Sequence, residues 1–156
     1  MTTEQDDSTT IDYVRGLVRD GIPHVRHLAI DVEAAAKGRL TLRLDYQERL
    51  VGNPENGVLH GGAITVLMDT VSGLAVITAL PAPAPMATLD LRIDYLRPAS
   101  PGQAVLGHAH CFKLTRSVAF TRGFAYQDDE NDPIAHCTGA FMLATAGEAV
   151  PFVTGS

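Results

Sequence analysis

His60, Gly61 and Gly62 head a long apolar run whose only charged residue is Asp69, nine positions after the histidine. Burying an ionisable carboxylate inside an apolar helix costs on the order of several kcal/mol unless it is hydrogen-bonded or partly wetted. A side chain kept at that cost is a candidate for chemistry. Each feature alone has an ordinary reading: a loop histidine, a tight Gly-Gly turn, a helix aspartate bonded to a nearby hydroxyl. Their combination at this spacing points to a site.

Other clusters point to less. His108, His110, Cys111, His136 and Cys137 invite a metal reading. In a strand, however, residues 108 and 110 share one face while 111 points to the other, and no CxxC spacing supports a tetrahedral set, so no metal is expected. The chain contains neither GxxxxGK[ST] nor GxGxxG, which leaves nucleotide hydrolysis and hydride transfer unsupported.

The elements that must position His60 and Asp69 follow from periodicity. Ile11, Val14, Leu17 and Val18 have helical spacing, which predicts a short amphipathic helix over 11–19, a cap or lid stopped by Gly21 and Pro23. Period-two alternation over 28–32 and 40–47 predicts a hairpin turned at Lys37 and Gly38. Gly52, Asn53, Pro54, Asn56 and Gly57 mark 51–58 as an irregular loop that delivers the chain to His60. From 63 to 80 the apolar density runs all the way round, so a central helix covered on nearly every side is expected, ended by Pro81, Pro83 and Pro85. Alternation over 88–95, 104–114, 118–126 and 134–144 predicts four more strands. Two strands, a buried helix and four strands with short connections imply an α+β fold, an antiparallel sheet of about six strands wrapped around one long helix.

Composition bounds the function. With 156 residues, 46% hydrophobic and 19% charged, the chain suits one domain with a substantial core. A net charge of −6 with dispersed Lys and Arg argues against a nucleic-acid partner. The acidic, hydroxyl-rich start does not resemble a signal peptide, and Asp69 with the flanking glycines argues against a membrane span over 58–80. A cytoplasmic location is expected, with Cys111 and Cys137 as reduced core thiols.

The stretch Asn53-Pro54-Glu55-Asn56-Gly57-Val58-Leu59-His60-Gly61-Gly62, then Asp69, then Thr88-Leu89-Asp90-Leu91-Arg92-Ile93-Asp94-Tyr95-Leu96-Arg97-Pro98, resembles the hotdog-fold acyl-CoA thioesterases of the 4-hydroxybenzoyl-CoA thioesterase superfamily, in the PaaI-like branch. The resemblance covers residues 25–143. It implies an N-terminal segment with a short helix over 1–25, a hotdog domain over 26–145 and a C-terminal tail over 146–156.

It further implies roles. Gly61 takes the place whose backbone N–H meets the thioester carbonyl, as a helix N-terminus is suited to do. His60 shapes that loop by hydrogen bonding. Asp69 matches the carboxylate that acts as nucleophile or as the base that activates water. Thr88 falls where relatives carry a hydroxyl touching the nucleophile or the water. Asn53 matches the amide near the substrate carbonyl, with Asn56 as its alternative because the loop here is one residue longer. Gly62 belongs to the same substrate-binding loop. Arg116 and Ser117, with Arg97 and Lys113 as further candidates, would meet the CoA phosphates. Gly73 and Leu74 would line the acyl pocket. No cofactor is implied beyond coenzyme A as part of the substrate. Relatives set the carboxylate across a dimer interface from the glycine, which implies a homodimer with shared active sites and commonly a homotetramer.

Two other readings stand beside hydrolysis. An acyl-CoA hydratase would want a histidine and carboxylate poised for proton transfer, and no second helix carboxylate lies near His60. A non-catalytic acyl-CoA sensor would bind the thioester without turnover.

Overall fold

The computed structural model describes residues 3–144. In chain order these are α1 (Thr3–Gly16), a π-helical turn (Leu17–Gly21), α2 (Pro23–His27), β1 (Ile30–Ala36), β2 (Arg39–Leu44), a 3₁₀ turn (Glu48–Leu50), β3 (Val51–Asn53), β4 (Val58–Leu59), α3 (Gly61–Ala79), β5 (Met86–Tyr95), β6 (Val105–Leu114), β7 (Val118–Tyr126) and β8 (Ala135–Leu143). Six strands form one antiparallel sheet in the order β1-β2-β6-β7-β8-β5, and β3 and β4 make a small separate ribbon. The α+β arrangement expected from periodicity is the observed one, with α3 lying against the sheet.

Alternation explains the sheet and residue size explains how the helix sits on it. Leu40, Leu42 and Leu44 of β2 are buried. Most inward residues of β6, β7 and β8 are small (Gly107, Ala109, Ala119, Thr121, Gly123, Ala125, Ala135, Cys137 and Gly139), with Val105, Phe141 and Leu143 as the larger ones at the strand ends. Bulk comes instead from α3, whose Leu67, Met68 and Val71 are fully buried. Each contributes about 1.5–3 kcal/mol of apolar burial. Helix and sheet meet most closely at Gly107, where a Cβ would stand 2.9 Å from Leu67 Cγ and 3.2 Å from Met68 Sδ. The far end of α3 is tied by the Thr78 hydroxyl, which accepts from the Gly38 N–H at 3.0 Å.

Several expectations need correction. The N-terminal helix begins at Thr3 rather than at 11; its helical segment ends at Gly21 with Ile22 extended, as expected, and Pro23 then opens a second short helix, α2, at its first position, where its missing N–H costs nothing. Val14, Val18 and Val25 bury this segment against the domain. The first strand lies at Ile30–Ala36 rather than 28–32, and the loop over 51–58 holds the β3–β4 ribbon. Nor is α3 covered nearly all round: Gly62 and Thr65 are exposed, and Gly61, Val66, Asp69 and Thr70 are half-buried, so a stripe of polar and small residues faces outward. Of the two free thiols Cys137 is buried, but Cys111 is only partly so. By length and composition α3 could cross a bilayer, yet ten of its residues are buried in the fold. The expected tail over 146–156 lies outside the described residues.

Filling the closest helix-to-sheet approach should lift α3 off β6. Gly107→Val is expected to cost about 1–3 kcal/mol by overpacking, read as a fall of several degrees in the thermal unfolding midpoint. An unchanged midpoint would show that α3 does not need this contact.

Candidate active site

The loop before α3 is built to present a free amide. Its small ribbon ends at Leu59, and the His60 N–H donates to the Leu50 carbonyl at 2.8 Å. A Cβ on Gly52 would stand 2.8 Å from His60 Cα, so only glycine lets the two segments close. His60 is the N-cap of α3, with φ −61° and ψ 134°. Its Nδ1 accepts from the Gly62 N–H at 2.8 Å, which places the ring's proton on Nε2. The ring lies over Gly62, where a Cβ would come within 2.8 Å of Nδ1. The Ala63 N–H returns to the His60 carbonyl at 3.0 Å. With these donors used, the Gly61 N–H has no acceptor among the described residues, at the positive end of a 19-residue helix.

The first turn is also held from the other side. Tyr95, on β5, donates its hydroxyl to the Gly61 carbonyl at 2.7 Å, the Thr65 hydroxyl donates there at 3.1 Å, and the two hydroxyls stand 2.8 Å apart. Gly61 borders an open pocket of about 370 Å³ shared with Tyr95, Leu96 and Arg97.

Asp69 lies two turns further along the same helix. The Thr88 hydroxyl, from the start of β5, donates to Asp69 Oδ1 at 3.0 Å. Asp69 Oδ2 has no partner among the described residues. The carboxylate is half-buried and opens on a pocket of about 210 Å³ lined by Ile22, Gly73, Leu74, Ile77, Met86 and Phe141, with Thr70 and Thr88. No lysine or arginine lines it. Gly73 forms part of its wall, and a Cβ there would stand 3.1 Å from Met86 Cε.

Sequence-expected residues therefore fall into groups. Asp69 and Thr88 meet, with Gly73 and Leu74 beside them. His60, Gly61 and Gly62 form the amide-presenting turn. The oxygens of Asn53 and Asn56 accept from the backbone N–H groups of Glu55 and Val58, which shapes the loop itself. Arg97 donates to the Asp132 and Pro98 carbonyls and stands 3.1 Å from the Asp132 carboxylate, so its guanidinium is engaged within the chain. Arg116 and Ser117 are exposed in the β6–β7 turn, where the Ser117 carbonyl accepts from Leu143, the register partner of Met86. That turn belongs to the Asp69 end of the sheet, as does exposed Lys113. Tyr95, Thr65 and Ile22 escaped the sequence reading. Tyr95 lies in the alternating stretch over 88–95 and Thr65 four residues beyond Gly61, but nothing in the sequence says that they meet.

Comparison with known proteins bears on the family and the fold. The model of the thioesterase superfamily matches residues 56–134, half the chain. A crystal structure of a Pseudomonas aeruginosa protein is 50% identical, with a TM-score of 0.78, covering 85% of this chain and 98% of that one. The Escherichia coli PaaI protein of the phenylacetic acid degradation operon shares the fold, at 16% identity and a TM-score of 0.76, covering 88% of this chain and 96% of that one. The medium/long-chain acyl-CoA thioesterase YigI of Escherichia coli K12 is 27% identical over 135 residues, 78% of this chain and 86% of that one. A Halobacterium salinarum protein is 48% identical over 75 residues, and the alignment takes in 46% of this chain and 50% of that protein's length. A hotdog fold and a family match that spans the His60–Asp69 segment together place this chain in the thioesterase superfamily, among the thioester hydrolases.

Proposed function

We propose that this protein hydrolyses acyl-CoA thioesters in sites built between two copies of the chain. The observation that carries the reading is the Asp69 carboxylate, held at one oxygen by Thr88 and open at the other onto an apolar pocket. Asp69 Oδ2 is free to attack the thioester carbonyl carbon or to take the proton of a water that does so. On the base route the water oxygen forms the new C–O bond, the C–S bond breaks, and coenzyme A leaves as a thiolate that takes up a proton as the acid departs. On the nucleophile route the C–S bond breaks as Asp69 forms a mixed anhydride, which a water then hydrolyses to release the acid and restore the carboxylate.

Attack throws negative charge onto the carbonyl oxygen, and the unpartnered Gly61 N–H is suited to receive it. One chain cannot supply both groups to one carbonyl. Eight residues of α-helix separate Gly61 from Asp69 by about 12 Å, whereas a reacting carbonyl spans a donor and a nucleophile each about 3 Å away. β5 supplies the remedy. It is an edge strand of ten residues, with Leu89 55%, Tyr95 49% and the adjoining Leu96 55% exposed. A long apolar edge is a template for pairing. Antiparallel pairing of two β5 strands about an axis near Leu91 and Arg92 sets Thr88 of one chain across from Tyr95 of the other. Thr88 marks the Asp69 end of α3 and Tyr95 marks the Gly61 end, so Asp69 comes to face Gly61 of the partner subunit.

The lining favours an uncharged acyl group. Ile22, Leu74, Ile77, Met86 and Phe141 suit an aliphatic or plain aromatic chain and would leave a terminal carboxylate unpaired. Exposed Arg116, at the Asp69 end, is the cation this reading assigns to the CoA phosphates, since Arg97 is engaged by Asp132 and the Pro98 carbonyl. YigI, named for medium- and long-chain acyl-CoA, supports the same substrate class.

Thiol release from an acyl-CoA panel tests the reading. Asp69→Asn should lower turnover by at least about a hundredfold while leaving thioester binding intact. Its unfolding free energy should change by no more than about 0.5 kcal/mol, because the half-exposed asparagine can still accept from Thr88. Full turnover in the variant would remove Asp69 from the chemistry, and saturable binding by wild type without thiol release would make the protein a sensor.

Gly73→Val should fill the pocket and shift the chain-length profile toward short acyl groups, with decanoyl-CoA losing more kcat/KM than butyryl-CoA. Succinyl-CoA should be a poor substrate for the wild type. An unaltered profile in Gly73→Val would place the acyl chain elsewhere.

A further inference from the structure

The sheet face turned away from α3 carries a second constellation of functional groups. Strand register sets Arg39 of β2 beside His110 of β6, His110 beside Arg122 of β7, and Arg122 beside Thr138 of β8. The neighbouring row runs Thr41, His108, Phe124, His136. Between these rows lies a depression of about 370 Å³ lined by Arg39, His108, His110, Arg122, Phe124 and His136, together with Thr138. Two guanidiniums and three imidazoles thus gather on one face of a chain whose net charge is −6.

The two guanidiniums lack counterions among the described residues. Neither Arg39 nor Arg122 has an ion-pair partner among the described residues; Arg122 lies instead over the Phe112 ring, 5.3 Å from its centroid. Burial and the Arg39 charge hold His108 below the usual histidine range, and burial with Arg39 and Arg122 does the same to His110. Acidic neighbours do not cancel the cluster. Asp94, opposite His136 in register, is bonded by Arg92. Glu130, in the β7–β8 turn, acts on His108 and Tyr126 from the rim but does not line the depression.

His108 keeps one ring nitrogen open to the depression. Thr41 holds His108 through Nδ1 at 2.9 Å, which leaves Nε2 for a ligand, and Phe124 packs against the same ring with centroids 5.4 Å apart. The imidazoles do not converge as metal ligands must, for no three His, Cys, Asp or Glu among the described residues could share an ion. Guanidiniums at the wall of a depression match phosphate oxygens. Self-packing of this face against a second copy would bring like charges together.

We propose that this depression is a binding site for a small phosphorylated polyanion, its diphosphate held between Arg39 and Arg122 with the imidazoles of His108, His110 and His136 donating around it. The site lies on the opposite side of the sheet from Asp69 and does not depend on the thioester reading. The diphosphate could belong to a free nucleotide or to the nucleotide portion of coenzyme A.

Inorganic pyrophosphate is the first probe, titrated into the wild-type protein while the imidazole NMR signals are followed. The signals of His108, His110 and His136 should move and saturate, and those of His24, His27 and His60 should stay. By calorimetry, Arg39→Gln/Arg122→Gln should weaken pyrophosphate binding at least about tenfold, the size expected for lost charge-assisted hydrogen bonds. Arg43→Gln, whose native guanidinium is paired with Asp45 outside the depression, should bind as wild type. Competition identifies the source: displacement by ATP but not by coenzyme A marks a free nucleotide, and displacement by coenzyme A marks its own diphosphate. No saturable shift of the three signals overturns the proposal. So does binding undiminished in the double variant, or a change of oligomeric state in it, which would make the face a contact between copies. The wild-type titration decides the matter if the double variant does not fold.

Discussion

An α-helix advances about 1.5 Å per residue, and that fixed rise governs the rest of this molecule's design. It keeps the free Gly61 amide and the Asp69 carboxylate too far apart to act on one carbonyl from within a single chain. The two groups are nonetheless arranged for complementary work. One is an unpaired donor at a positive helix end, and the other is an acceptor with one oxygen tied and one free. β5 runs antiparallel to α3, with Thr88 on the carboxylate and Tyr95 on the glycine turn. The strand that fixes both half-sites is also the open edge of the sheet, so the proposed pairing joins the two halves without moving either.

Precision in such a site depends on holding α3 still. The middle of the sheet does this by contributing little volume of its own. Glycine and alanine on the inner faces of β6, β7 and β8 let Leu67, Met68 and Val71 settle against the backbone. The outward stripe of α3 (Gly61, Gly62, Thr65, Asp69, Thr70) is spared that packing and is where the polar chemistry lies. The N-terminal segment adds Ile22 to the pocket beside Asp69, which on the proposed reading gives an otherwise peripheral element a place in substrate selection.

How much of this was legible in the sequence follows from how local each feature is. β7 lies at Val118–Tyr126, the range its alternation predicts, because a period-two pattern between two turns leaves no other register. Asp69 and Gly61 stood out because an isolated carboxylate in an apolar run and a glycine pair before it are both visible in one stretch. The stop at Gly21 was legible, but the short α2 beyond it was not, because proline reads equally as a helix stop and as a first helical residue. The Tyr95–Thr65–Gly61 cluster depends on how β5 lies against α3, and the Arg39–His110–Arg122 row depends on β2 pairing with β6 across more than sixty residues of intervening chain. No local pattern encodes either. Asn53 and Asn56 show the reverse case, since both had a proposed role at the substrate and both are seen shaping their own turn.

The central claim, that carboxylate and oxyanion donor come from different chains, is tested most directly by complementation between two inactive variants. Asp69→Asn removes the carboxylate. Gly61→Pro removes only the N–H, since proline is favoured at the first helical position and His60, at φ −61° and ψ 134°, already has the extended conformation that a residue before proline adopts. Mixed in equal amounts and allowed to exchange subunits, the two should regain roughly a quarter of wild-type thiol release, because half the dimers are mixed and each then holds one intact site. Separate preparations that remain inactive after verified exchange would contradict a site shared between subunits.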